Sequence, residues 1–266
     1  MFYEGCIGTQ VAKYDMRVLA IIPARYASTR FPAKPLAMLG RKCIIEWVWG
    51  VAKSQFDDVI VATDDERIAK RVEEFGGVAM ITSSEHRCGT ERCAEVARRV
   101  DNNYDIILNI QGDEPFIRKE QLCEVVAQFA NPAIDIATLA TPILPDEGND
   151  IFDPNSVKAT LSNDGRALYF SRSPIPYLRG IDKGEWATHH TYYRHLGIYA
   201  FRSEVLQQVT RLEATPLEEA ESLEQLRWLQ SGYTIGVGIT SSRSIGIDTP
   251  EDLERAEAML QEESKL

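Results

Sequence analysis

Val18-Leu-Ala-Ile-Ile-Pro-Ala-Arg-Tyr-Ala-Ser-Thr-Arg-Phe-Pro-Ala-Lys34 opens with five apolar residues and passes directly into a proline-bounded, hydroxyl-rich loop. The apolar run reads as a buried strand, and the loop that leaves it carries Arg25, Arg30 and Lys34. Across Met16 to Ile45 there are six basic side chains (Arg17, Arg25, Arg30, Lys34, Arg41, Lys42) and no acidic one, in a chain of formal net charge -11. Spaced cations after a buried strand make a polyanion cradle, with backbone N–H groups of residues 24–28 (Ala24 first) and the hydroxyls of Ser28 and Thr29 as further donors. The loop is neither a P-loop nor a Rossmann glycine fingerprint. A solvated basic loop of proline-fixed shape is the competing reading.

Outward from this strand, short β-rich runs alternate with amphipathic helical patterns. Strands are expected at Val18–Ile22, Val59–Ala62, Val78–Ile81, Ile106–Ile110 and Ile134–Ile143, with helices at about 42–54, 65–75, 89–100 and 118–130. Asp64 or Asp65 caps the second helix. The first half therefore reads as a Rossmann-like α/β arrangement, a mainly parallel sheet flanked by helices. The second half changes rhythm: strands at Val157–Leu161, Ala167–Phe170, Leu196–Phe201 and Tyr233–Gly238 lie among helices at about 203–210, 217–231 and 250–263. That mixture predicts antiparallel additions or a small lobe. We expect one domain over 16–266, its nucleotide-binding half at about 16–132 and the remainder at 133–266.

Composition bounds the function. With 44% hydrophobic and 26% charged residues, the 266-residue chain can bury a full core. Its acidic balance argues against nucleic acid, which needs a broad basic footprint rather than one loop. No apolar run approaches a membrane span and no signal-peptide pattern opens the chain, so neither a membrane nor export is expected. Five scattered cysteines without a C-x-x-C pair fit a reducing cytoplasm. Residues 1–15 match no pattern, and Met16 is expected to be the natural start.

Two carboxylates follow apolar segments. Gln111-Gly-Asp-Glu-Pro115 ends a strand with Asp113 placed to hold a hard cation, although the same text reads equally well as a strand-to-helix turn. Asp248 precedes Thr249-Pro-Glu-Asp252, a helix start that Thr249 can cap unaided. Cys88-Gly-Thr-Glu-Arg92 opens a helix, which by itself is a structural helix start, and Gln111 adds a side-chain amide at the strand end. Arg172 follows a strand and offers a bidentate partner for a carboxylate. His86, His189 and His190 are expected at the surface.

Ile21-Ile-Pro-Ala-Arg-Tyr-Ala-Ser-Thr-Arg-Phe-Pro-Ala-Lys-Pro-Leu36, Val61-Ala-Thr-Asp64, Gly89-Thr-Glu-Arg92, Ile110-Gln-Gly-Asp-Glu-Pro115, Leu168-Tyr-Phe-Ser-Arg172, Arg194-His-Leu-Gly-Ile-Tyr199, Leu223-Glu-Gln-Leu-Arg227 and Gly246-Ile-Asp-Thr-Pro-Glu-Asp-Leu253 together resemble the 3-deoxy-manno-octulosonate (Kdo) cytidylyltransferase family. The resemblance runs in order over about residues 17–256. It implies a GT-A-like fold, a homodimer with Ser173–Tyr193 as the contact, and formation of CMP-Kdo and pyrophosphate from CTP and Kdo for lipopolysaccharide synthesis. It further implies Mg2+ on Asp113 and Asp248, phosphate handling by Arg25 and Lys34, nucleotide contacts from Gly89, Arg92 and Gln111, and sugar contacts from Arg172, His195, Tyr199, Glu224 and Gln225. Ser is commoner in the family where this chain has Cys88, which puts one nucleotide contact in doubt. Open alternatives are an 8-amino-Kdo or sialic acid acceptor, a non-catalytic nucleotide-binding protein, and a glycosyltransferase, the last disfavoured by the missing D-x-D motif.

Overall fold

A computed structural model of the chain describes residues 16–27, 31–100, 104–242 and 246–263. Its strands and helices in chain order are β1 (Val18–Ala24), β2 (Met38–Leu39), β3 (Lys42–Cys43), α1 (Ile44–Lys53), β4 (Asp58–Thr63), α2 (Glu66–Glu74), β5 (Val78–Ile81), α3 (Gly89–Arg99), β6 (Ile106–Asn109) and α4 (Lys119–Ala127). There follow β7 (Ile136–Pro142), β8 (Lys158–Leu161), β9 (Ala167–Ser171), α5 (Trp186–His189), β10 (Tyr193–Arg202), α6 (Ser203–Val209), α7 (Pro216–Glu221), α8 (Glu224–Gln230), β11 (Ile235–Ile239) and α9 (Pro250–Glu263). Two compact units result: the chain through Cys123 with the segment from Gly246 onward, and Glu124–Ser242.

In the first unit β1 pairs in parallel with β6 on one edge and β4 on the other, and β5 lies beyond β4. Val18–Ile22 are all buried, as a strand bonded on both edges and covered on both faces requires. Parallel neighbours need crossovers, and helices supply them. α1 buries Ile44, Ile45, Val48 and Ala52, and α2 buries Ile68, Ala69 and Val72. Of the two aspartates before α2, Asp65 is the cap: its carboxylate accepts the Arg67 N–H at 2.9 Å. The Arg67 side chain also holds that carboxyl below the usual carboxylate range.

In the second unit β7 pairs in parallel with β11 and antiparallel with β10; β10, β8 and β9 continue antiparallel. The change of rhythm in the sequence is therefore an antiparallel addition to a mixed sheet, and the Rossmann-like fold class is borne out.

Two elements depart from expectation. The single helix expected over 217–231 is two helices, because Ser222 adopts a left-handed conformation (φ 52°, ψ 48°) and ends α7. The strand expected at 196–201 begins at Tyr193 and is bulged between Leu196 and Tyr199, so His195, outside the expected strand, lies within β10 together with Tyr199. No helix among the described residues is long and apolar enough to cross a membrane.

Candidate active site

Parallel strands deliver their carboxyl ends to one edge of a sheet, and the loops there collect into a binding crevice. In the first unit this edge holds a cleft of about 200 Å³ lined by the end of β1 (Pro23, Ala24), Arg25 just beyond it, Lys34, the start of α3, the turn Gln111–Asp113 and Asp248. Two glycines let these segments close on Pro23. A Cβ on Gly112 would meet the Pro23 carbonyl oxygen at 2.8 Å, and one on Gly89 would meet Pro23 Cγ at 3.0 Å. Any side chain at position 112 would push Asp113 away from β1.

Lys34 is the hub of the cleft. It opens a 3-10 turn, Lys34–Leu36, entered through Ala33 in the left-handed region (φ 59°). The Ala33 N–H donates to the Tyr26 carbonyl at 3.0 Å, fastening the far end of the cradle loop to its start. Lys34 Nζ donates to Asp113 Oδ2 at 2.6 Å and to Asp248 Oδ1 at 3.1 Å. The lysine side chain is 12% exposed against 35% and 48% for the two carboxylates, so the cation lies deeper than the oxygens it neutralises.

The chain fixes these carboxylates through their backbones. The Ile247 N–H donates to the Asp113 carbonyl at 2.9 Å, joining the segments that carry them. Asp252 accepts from the N–H groups of Asp248 and Thr249 while its own N–H donates to Thr249 Oγ1, a reciprocal cap at the start of α9. Burial alone would raise the Asp252 pKa, but these hydrogen bonds hold it below the usual range. Ile247 and Ala256 pack with Leu39 and Ile44, which anchors α9 in the first unit.

Among the other expected nucleotide contacts, Arg25 is exposed at the cleft, Gly89 and Gln111 line it, and Cys88 is the N-cap of α3. Arg92 reaches the cleft wall but is buried (3% exposed), its guanidinium donating to Thr82 Oγ1 and, at 2.8 Å, to Asp64 Oδ2. Ser28 and Arg30 lie outside the described residues. His86, expected at the surface, lines the cleft and hydrogen-bonds Glu95 at 2.5 Å. No periodicity marked it; only its place three residues before Gly89 could have. His189 and His190 are exposed, as expected.

The five expected sugar contacts lie in the second unit. Arg172 is clamped by main-chain carbonyls, donating from Nε to Glu221 O at 2.7 Å, from one terminal nitrogen to Pro154 O at 3.0 Å and from the other to Ser222 O at 3.4 Å. The break at Ser222 presents two of those carbonyls. Glu221 also accepts the Arg172 N–H and the Ser171 hydroxyl. Lys158 lies beneath: fully buried, it donates to Asp153 O and Arg172 O at 2.7 Å each, and burial lowers its pKa. Neither Glu221 nor Lys158 was singled out in the sequence, because a Lys in a strand and a Glu on an acidic helix carry no signal of their own.

His195 packs between rings, edge-on to Phe170 at 4.9 Å and tilted to Tyr199 at 5.4 Å, and burial pushes its pKa down to about 3. The imidazole is thus neutral at physiological pH. Tyr199 packs edge-on against Trp228, and burial raises its pKa well above the ordinary phenol value. Glu224 accepts from the Arg227 guanidinium at 3.0 Å, and Gln225 is buried.

A family model described as cytidylyltransferase matches residues 19–235. A 3-deoxy-manno-octulosonate cytidylyltransferase of Phocaeicola vulgatus is 53% identical over 93% of this chain and 98% of its own length. One of Bacteroides thetaiotaomicron is 52% identical over 94% of this chain and all of its own. A solved structure described as CMP:2-keto-3-deoxy-manno-octonic acid synthetase complexed with CTP superposes with a TM-score of 0.85 at 39% identity, covering 93% of this chain and 99% of that one.

Proposed function

This chain belongs to the 3-deoxy-manno-octulosonate cytidylyltransferase family, and we infer from that premise that it transfers CMP from CTP to Kdo, releasing pyrophosphate. The observation that carries the reading is the convergence of Lys34, Asp113 and Asp248 at the carboxyl edge of the parallel strands.

The reaction is in-line attack by the anomeric hydroxyl of the sugar acid on the α-phosphorus of CTP. The bond from that phosphorus to the bridging oxygen breaks, and pyrophosphate departs. The chain contributes positioning and charge neutralisation. Asp113 and Asp248, both bonded to one Nζ, suit a hard divalent cation, and we assign Mg2+ to them. Two protein carboxylates completed by phosphate oxygens and water are a common Mg2+ set, and among the described residues no group of three His, Cys, Asp or Glu offers an alternative. Bound there, the ion would lower the pKa of the attacking hydroxyl and bind an α-phosphate oxygen. Arg25 and Lys34, with Arg30, hold the leaving pyrophosphate. Gly89, Gln111 and the backbone at Ala24 contact the nucleotide, and Arg92 shapes the wall for the base.

We assign acceptor binding to the second unit, with Arg172 taking the sugar carboxylate and His195, Tyr199, Glu224 and Gln225 its hydroxyls. We also infer a cytoplasmic homodimer. Support for the dimer comes from exposed Tyr177, Leu144 and Phe152; Tyr177 and Phe152 pack on the buried Trp186, and Tyr177 lies in the Ser173–Tyr193 stretch.

The test is pyrophosphate release from each ribonucleoside triphosphate, with and without Mg2+, using Kdo, 8-amino-Kdo and N-acetylneuraminate as acceptors. Release with CTP and Kdo in the presence of Mg2+ is expected. Another preferred acceptor would keep the chemistry and change the substrate, and silence with every acceptor would leave only nucleotide binding. Light scattering on the eluting protein reads the oligomeric state.

A further inference from the structure

Thr138 lies at the centre of β7, fully buried, opposite the bulge in β10. Its Oγ1 is 2.7 Å from the Ile198 carbonyl oxygen, 3.0 Å from the Leu196 carbonyl oxygen and 3.0 Å from His195 Nε2. A hydroxyl has one proton to give, and carbonyl oxygens can only accept. If that proton went to His195, Oγ1 would face two carbonyl oxygens with lone pairs alone, one of them at 2.7 Å. With His195 as the donor to Oγ1, the Thr138 proton is left for the two carbonyls, shared between them or given to the nearer Ile198 oxygen, and this is the arrangement that leaves fewest lone pairs opposed.

We propose that Thr138 is a positioning residue for the acceptor: it fixes His195 as the Nε2–H tautomer, leaving Nδ1 as a bare acceptor for a hydroxyl proton of the sugar acid. The bulge makes this possible, because it turns the carbonyls of both Leu196 and Ile198 toward one threonine. Phe170 and Tyr199 hold the ring from its sides. Burial keeps a second proton off the ring, so Nδ1 stays an acceptor across the neutral range. The proposal rests on the assignment of His195 to the acceptor site. It adds which ring nitrogen acts and which residue sets it.

The test compares wild type, Thr138→Val and Thr138→Ser by ¹⁵N spectroscopy of ring-labelled histidine, with His195→Gln assigning one signal among the four histidines. Wild type should show a protonated Nε2 and an unprotonated Nδ1. Thr138→Val should mix or invert the tautomers and raise the KM for Kdo roughly ten-fold, the worth of about one hydrogen bond, with the KM for CTP unchanged. Thr138→Ser should restore both readouts. A protonated Nδ1 in wild type overturns the proposal, and that measurement stands even if the valine variant fails to fold. An unchanged tautomer in folded Thr138→Val overturns it as well. A tautomer shift with no change in the Kdo KM overturns the functional half and removes His195 from the acceptor site, while the cytidylyltransferase reading is untouched.

Discussion

Lys34 Nζ stands 2.6 Å from Asp113 Oδ2, and the same nitrogen reaches Asp248 Oδ1 at 3.1 Å, so one ammonium is shared by two carboxylates drawn from distant parts of the chain. Replacing it with a neutral side chain leaves two close carboxylates to repel each other. Lys34→Met should therefore gain more thermal stability from added magnesium chloride than wild type does, measured by melting without nucleotide. Its turnover should fall about 10²–10³-fold, the cost of one preorganised electrostatic donor. An equal magnesium response in the two proteins would contradict the account.

Asp113→Asn preserves shape and removes charge. Pyrophosphate release should drop by at least about 10³-fold while the unfolding midpoint moves little, because the loss falls on charge placement at the transition state. Near-normal kinetics would remove Asp113 from the metal site.

Gly112→Ala sets a methyl group 2.8 Å from a backbone oxygen that cannot turn aside. Overpacking of this kind costs about 1–3 kcal/mol. The predicted outcome is a lower melting temperature together with reduced kcat, since the displaced residue is the neighbour of Asp113.

Arg172→Lys keeps the charge but not the planar fork that serves the carbonyls of Glu221, Pro154 and Ser222. Without that clamp the cation is no longer held in place for the acceptor role proposed for it, so the KM for Kdo should rise by about one to two orders of magnitude while that for CTP holds. Steady-state kinetics with each substrate varied in turn checks this.

His195 predicts an acid-sensitive fold. Its native pKa of about 3 lies below the ordinary 6.5, so under pH 6.5 the unfolded chain binds a proton that the native protein refuses. Stability should then decline as pH falls from 6.5 toward 3, with a slope from this residue of at most about 1.4 kcal/mol per pH unit. His195→Gln should show a shallower decline in denaturant titrations over that window.

The strands of the first unit were legible because a parallel sheet buried on both faces leaves little choice but Val, Ile, Leu and Ala, as Val18–Ile22 shows. The helix start at Asp65 was legible to within one residue because capping is local chemistry. The break at Ser222 was not, since a serine in the left-handed region carries no sign in its neighbours. The bulge in β10 was hidden for a related reason: its partner is Thr138, nearly sixty residues earlier, and only tertiary structure brings them together. Lys34, Asp113 and Asp248 were each visible as candidates. That the lysine bridges the carboxylates, rather than waiting apart for phosphate, could not be read from their spacing.

Asp248 reaches the cleft through a segment that follows the whole second unit and returns to the first. A nascent chain can complete its central strands, its cradle loop and Asp113 on the ribosome and still lack half of the carboxylate pair. The two carboxylates meet only when the segment ahead of α9 returns to the first unit, so a polypeptide terminated before it would hold Asp113 and Lys34 without their third partner.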